Sequence, residues 1–172
     1  MSEEFGKRLK ELRKAAGCTQ GELSEKLGVH LQTVSKWERG VSEPDLSLLG
    51  ETASLLGVSL EKLLGVPENG ETYAGTFSAE GLGRAIASAR KNRGEGQEAV
   101  AEAAGVSAGA VSKWERGVIC PDAAQLSALA AHFSLPLSAL YYGIGEDTPT
   151  QTPVQARRAR RTAALWAGFA AL

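Results

Sequence analysis

The chain is poor in the residues from which most reactive sites are built. Its 172 residues include two cysteines, two histidines and one methionine. Two cysteines cannot make the disulfide framework of a small secreted domain, and Cys18 and Cys120 read instead as reduced thiols in a cytosolic protein. His30 and His132 stand alone, outside any metal-ligand spacing, so no metal is expected. No nucleophile and base stand out as a pair. Gly81-Leu82-Gly83 opens a helical stretch with no strand before it, which excludes a dinucleotide fingerprint. The reading is of a non-enzyme that needs no cofactor. Alternating apolar and polar runs are also lacking, which argues against strands. The N-terminus is charged and has no apolar run, so a secretory signal is not expected.

An excess of one charge is missing too. The net charge is −1. Residues 1–66 carry nine basic and ten acidic groups, and residues 80–143 carry six of each. Neither segment attracts polyanions in bulk, so binding to a nucleic acid has to come from local placement of lysine and arginine.

What the chain does have is a duplication. Val34-Ser-Lys-Trp-Glu-Arg-Gly-Val41 returns unchanged as Val111 to Val118, and each copy is followed by Pro-Asp (Pro44-Asp45, Pro121-Asp122). With the offset of 77 held, Arg13 pairs with Arg90, Gly17 with Gly94, Gln20 with Gln97 and Glu25 with Glu102. Gly28-Val29, Leu49, Ala53 and Leu60 also recur, and no insertion is needed. Each copy is a complete small domain of about sixty residues, large enough for an all-helical core. Two copies do not make a solenoid, which stacks three or more.

Apolar spacing predicts five short helices per copy, an all-α fold. Phe5, Leu9, Leu12 and Ala16 follow a helical period until Gly17 ends the run. Thr19 with Glu22 forms a capping box for a second helix carrying Leu23 and Leu27. Gly28-Val29 turns into a third helix, about 31 to 39, that Gly40 stops. Asp45 and Ser59 cap a fourth and a fifth. Within the third helix Val34 and Trp37 share an apolar face, so Leu31, Gln32, Ser35 and Lys36 turn outward.

A helix, a glycine turn and a helix at this spacing have helix-turn-helix geometry. The run Thr19-Gln-Gly-Glu-Leu-Ser-Glu-Lys-Leu-Gly-Val29, then Val34 to Gly40, then Pro44, resembles the Cro and phage-repressor (XRE-like) helix-turn-helix family. The resemblance covers residues 6–65 and, more loosely, 80–143, and it implies double-stranded DNA as the partner. It places base reading at Leu31, Gln32 and Lys36. Gln32 would bond adenine, Lys36 guanine O6 or N7, and Leu31 a thymine methyl. Gln20 resembles a glutamine that anchors to phosphate. His30, Thr33 and Ser35 join the same face, and Arg39 ends the reading helix beside the backbone. Related domains pair the arginine at Arg13 with the glutamate at Glu38, a fold-stabilising role.

The second copy departs where readout should occur. Gly96 replaces the Thr19 cap, and Ala108 and Gly109 replace Leu31 and Gln32. Gln97, Ser107, Ser112, Lys113 and Arg116 remain available for DNA. This copy reads either as a DNA-binding module with looser sequence demands or as a docking or dimerisation module. Residues 67–79, rich in Gly, Glu and Thr, read as a flexible linker of thirteen residues. Extended, it spans roughly 45 Å, against about 34 Å between successive major grooves on one face.

The tail reads as a disordered linker over 144–155, followed by a basic and then apolar helical segment over 156–172. Arg157, Arg158, Arg160 and Arg161 precede an uncharged run from Thr162 to Leu172. Eleven residues fall short of the ~20 that cross a bilayer. The tail is then either an oligomerising helix or a membrane segment cut short. The leading reading is a cytoplasmic transcriptional regulator, most simply a repressor, with a homodimer among its allowed states. The alternative is an anchor protein that uses the same fold for protein contacts and the tail for the membrane.

Overall fold

The computed structural model describes residues 2–68 and 71–144. The described part divides between Gly65 and Val66 into two compact units. The expected tail segments lie beyond residue 144, outside the described residues. Each unit has five helices, and no strand occurs among the described residues. The first contains α1 (Ser2–Ala15), α2 (Gln20–Lys26), α3 (Leu31–Glu38), α4 (Leu46–Leu56) and α5 (Leu60–Leu64). The second contains α6 (Ala79–Asn92), α7 (Gln97–Ala104), α8 (Ala108–Glu115), α9 (Ala123–Phe133) and α10 (Leu137–Tyr141).

Local chemistry sets the helix ends. Thr19 and Glu22 make the expected reciprocal box, with Glu22 N–H donating to the Thr19 hydroxyl at 3.1 Å and Thr19 N–H to the Glu22 carboxylate at 2.7 Å. Asp45 accepts from Ser47 N–H at 2.9 Å, and Ser59 accepts from Lys62 N–H at 3.0 Å. Between α2 and α3 the chain reverses through Gly28, whose φ of +65° belongs to the left-handed region. Val29 N–H then reaches back to Ser24 O at 2.9 Å and satisfies a terminal carbonyl of α2.

The cores repeat as the sequence does. Leu9, Leu23, Val34, Leu49 and Leu63 are buried in the first unit, and Ile86, Val100, Val111, Leu126 and Leu140 take their places in the second. Trp37 and Trp114 are both core residues. The first helix of each unit lies chiefly against the third. That packing explains Gly6 and Gly83, which the helical period alone does not single out. A methyl group at either position would collide with the carbonyl of Trp37 or of Trp114. The approach of the two helices therefore needs glycine there.

The second unit reaches further back along the chain than the linker reading implies. Tyr73 N–H donates to the Ser138 hydroxyl at 3.0 Å, and the Phe77 ring lies 4.8 Å from that of Tyr141. Gly143 packs directly on the Gly81 backbone. Part of the stretch 67–79 thus belongs to the second unit's surface.

Ser134, with φ of +56°, is the positive-φ residue other than glycine among those described, and it ends α9 where Gly57 ends α4. A side chain in this conformation is strained by about 1 kcal/mol. Replacing Ser134→Gly should therefore raise the stability of the second unit by about 1 kcal/mol in urea unfolding, with no change in m-value.

Candidate nucleic-acid interface

α3 presents one face to the core and the opposite face to solvent. Val34, Trp37 and Glu38 are buried. Gln32, Lys36 and Arg39 are exposed in a line along the other side, at the i, i+4, i+7 spacing of neighbours on a helix. Leu31 stands at the head of that line, 53% exposed, an apolar side chain with no core to fill. Thr33 and Ser35 are half-buried on the flanks. His30 occupies the N-cap position without a side-chain cap bond and is exposed. Arg39 folds back so that its Nε donates to Ser35 O at 3.2 Å.

A buried polar network holds this face outward. Arg13 of α1 grips the Glu38 carboxylate with two nitrogens, one of them Nη2 at 3.1 Å, and its Nη1 donates to Cys18 O at 2.6 Å. Gln20, the first residue of α2, donates its Nε2 to the same carboxylate at 2.7 Å. One glutamate at the end of α3 thus ties that helix to both α1 and α2. The second unit repeats the arrangement. Arg90 bonds Glu115 at 2.6 and 3.2 Å, Gln97 bonds Glu115 at 2.8 Å, and Arg90 Nη1 donates to Glu95 O at 2.8 Å. The Arg–Glu pairing agrees with the expectation from sequence.

The glutamines make a bond that the sequence reading did not include, since one N–H of each amide points inward. The carbonyl oxygen and the second N–H of each amide are the groups left for other partners. A glutamine and a glutamate eighteen residues apart, returning together as Gln97 and Glu115, were the sequence signal for this bond.

The network sets the electrostatics. Burial pushes the Glu38 carboxyl up, but bonds from Arg13 and Gln20 and the charge of Arg13 outweigh it and hold Glu38 below the ordinary carboxylate range. Glu115 is held low in the same way, by Arg90 and Gln97 against burial. Lys10 and Lys91 of the first helices add smaller attractions in the same direction. Burial, with Glu22 adding to it, pushes the Cys18 thiol up to about 11, so it stays protonated at neutral pH.

The second unit's α8 is capped by the Ser107 hydroxyl, which accepts from Ala110 N–H at 3.3 Å. Gly96 gives α7 no side-chain cap. Gly109, Lys113 and Arg116 are exposed, Ala108 and Ser112 half-buried. Arg116 Nε donates to Ser112 O at 3.1 Å, as Arg39 does to Ser35. Sequence reasoning did not join His132 to this unit's network, yet its Nε2 lies 2.7 Å from Glu95 Oε2.

Two bundles, each with a second and third helix joined by a tight glycine turn and an exposed third-helix face, define a tandem helix-turn-helix protein. The family model described as Helix-turn-helix matches residues 9–63 and 86–140, and the chain belongs to that family. The HTH-type transcriptional regulator ImmR of Bacillus subtilis (strain 168) is 44% identical over 64 residues, 37% of this chain and 50% of its own. YonR of the same organism, an SPbeta prophage-derived uncharacterized HTH-type transcriptional regulator, is 42% identical over 60 residues, 35% of this chain and 56% of its own. The HTH-type transcriptional activator BcrR of Enterococcus faecalis is 34% identical over 61 residues, 36% of this chain and 30% of its own. The chain thus spans about half the length of the first two relatives, and each match is about as long as one unit.

Removing Arg13 would strand a buried carboxylate, so Arg13→Ala should lower the first unit's unfolding free energy by about 3 kcal/mol in urea titration. The depressed carboxyls also fix the direction of pH dependence. Their stabilisation is complete above the unfolded glutamate value of about 4.3 and is lost as pH falls through the lower folded values. Thermal midpoints should accordingly hold steady from about pH 7 to 5 and drop below about pH 4, and Glu38→Gln should flatten the first unit's share of that drop.

Proposed function

We propose that this chain is a sequence-specific DNA-binding transcriptional regulator that reads the major groove with α3. The observation that carries the reading is the exposed row Leu31, Gln32 and Lys36, with Arg39 at its end, backed by the buried Arg13–Glu38–Gln20 network. A row of that composition suits a groove floor. Gln32 offers a donor and an acceptor to adenine N7 and N6, Lys36 donates to guanine O6 or N7, and Leu31 packs on a thymine methyl. Arg39, His30, Thr33, Ser35 and the free edge of the Gln20 amide border the row and meet phosphates. The relatives named as transcriptional regulators support the same reading.

Occupancy of an operator is the core act, and repression by obstructing polymerase is its simplest consequence. One relative is named an activator, and its match is only as long as a single unit, so a shared binding domain does not decide the sign. A cytoplasmic location, an operator-bound homodimer and a chain without catalytic activity belong to the same proposal. No helix among the described residues is long and apolar enough to cross a membrane.

The test is to select preferred duplexes from a random pool with the full chain, then measure binding of Gln32→Ala with Lys36→Glu. Two lost base contacts at about 1 kcal/mol or more each should weaken binding to the selected duplex at least ~30-fold, with the melting curve unchanged. Undiminished, still selective binding by the folded variant would refute the proposal.

A further inference from the structure

The two units keep and lose different classes of group, and the division is informative. At the offset of 77, Gln20, Ser35, Lys36 and Arg39 persist as Gln97, Ser112, Lys113 and Arg116. These are groups suited to a phosphate backbone: a short hydroxyl, a flexible ammonium, a guanidinium and an amide held in place by Glu115 at 2.8 Å. The two positions at the head of the reading row have been emptied. Leu31 becomes Ala108, and Gln32 becomes Gly109, which presents nothing to a base edge. Lys113 alone is a point charge without a neighbour to fix its direction, and it serves a phosphate as well as a guanine.

From this we infer that the second unit grips the sugar–phosphate backbone of duplex DNA through α8 and the start of α7, without discriminating base sequence. The first unit selects the site and the second adds sequence-independent affinity beside it. This rests on the proposed reading by α3 and assigns the second unit its own role within it. The exposed residues of α8 and its C-cap are Gly109, Lys113 and Arg116, with Ser112 half-buried beside them. A protein partner seated there would have to desolvate two cations, whereas phosphates neutralise them. The exposed Val118 and Ile119 lie past the end of the helix; Val118 has an equally exposed counterpart in Val41, and Ile119 stands where the first unit has Ser42.

The full chain carrying Lys113→Ala and Arg116→Ala tests the inference against its selected duplex and against unrelated duplex, across a salt series. Both affinities should fall by the same factor to within about twofold, and the salt slope should shrink by about two. Loss confined to the selected duplex would overturn the inference, because the second unit would then be reading bases. No loss on either would overturn it too, because this face would then lie off the DNA, as a protein-docking role requires. Gln32→Ala is the separate control. If it leaves the ratio of selected to unrelated affinity unchanged, base reading by α3 has failed, whatever the second unit does.

A gain-of-function variant closes the test. A Cβ built on Gly109 would find its nearest neighbour at 3.8 Å, the Ser107 hydroxyl, so the helix has room for a side chain. Ala108→Leu with Gly109→Gln should give the second unit the first unit's preference, raising affinity about tenfold or more for duplexes carrying two copies of the selected half-site over one. A folded variant with no such gain would mean that α8 does not face the major groove, and the inference would fall.

Discussion

A carboxylate at the end of the third helix, buried in the first unit and half-buried in the second, organises each unit. Glu38 and Glu115 sit where water is largely excluded, and a charge there is tolerated only if it is paired and fully hydrogen-bonded. Arginine from the first helix and glutamine from the second supply those bonds. Satisfying one charge therefore fixes the placement of three helices. Gly6 and Gly83 let the first helix come close enough for the arginine to reach. Once α3 is held by its buried side, the opposite side has nowhere to go but outward. The exposed row is as much a product of this pairing as of the apolar contacts of Val34 and Trp37.

Much of this architecture was legible in the sequence, because its signals are local. Thr19 with Glu22, Asp45 and Ser59 announce helix starts through residues one to three positions away. Val34 and Trp37 announce the core side of α3 by spacing alone. The repeat adds a check that a single copy lacks, since the same features must serve twice. What stayed hidden depends on distance in space. Gln20 and Glu38 are eighteen residues apart, and only their joint return as Gln97 and Glu115 hints that they touch. Gly6 looks like an indifferent helix interior until the carbonyl of Trp37 is placed against it. Ser134 adopts a glycine conformation where only its repeat partner, Gly57, hints at the need. Residues 67–79 have a linker's composition, yet Tyr73 and Phe77 are two large rings in it, and rings seek cover.

The face of α3 was legible as a face, because exposed and buried positions follow from period. Its detailed use of Gln20 was not. The sequence pattern points that amide at phosphate, whereas the structure spends one of its two N–H donors on Glu38. A glutamine held in this way presents its remaining groups in a fixed direction and loses little side-chain freedom on binding. The second unit keeps the same arrangement while Ala108 and Gly109 stand where Leu31 and Gln32 stand in the first, so the network is independent of those two exposed side chains. The duplicated octapeptide is mostly scaffold: valine and tryptophan for the core, glutamate for the network, glycine for the stop.

The central claim is that α3 lies in the major groove with Lys36 at a guanine. Methylation interference on the selected duplex addresses it directly, because dimethyl sulfate modifies guanine at N7 in the major groove and adenine at N3 in the minor groove. The account predicts that methylation of one or two guanines at N7 within the half-site blocks binding, and that Lys36→Ala abolishes the effect at one of them. Interference confined to adenine N3, or a pattern unchanged in Lys36→Ala, would contradict it.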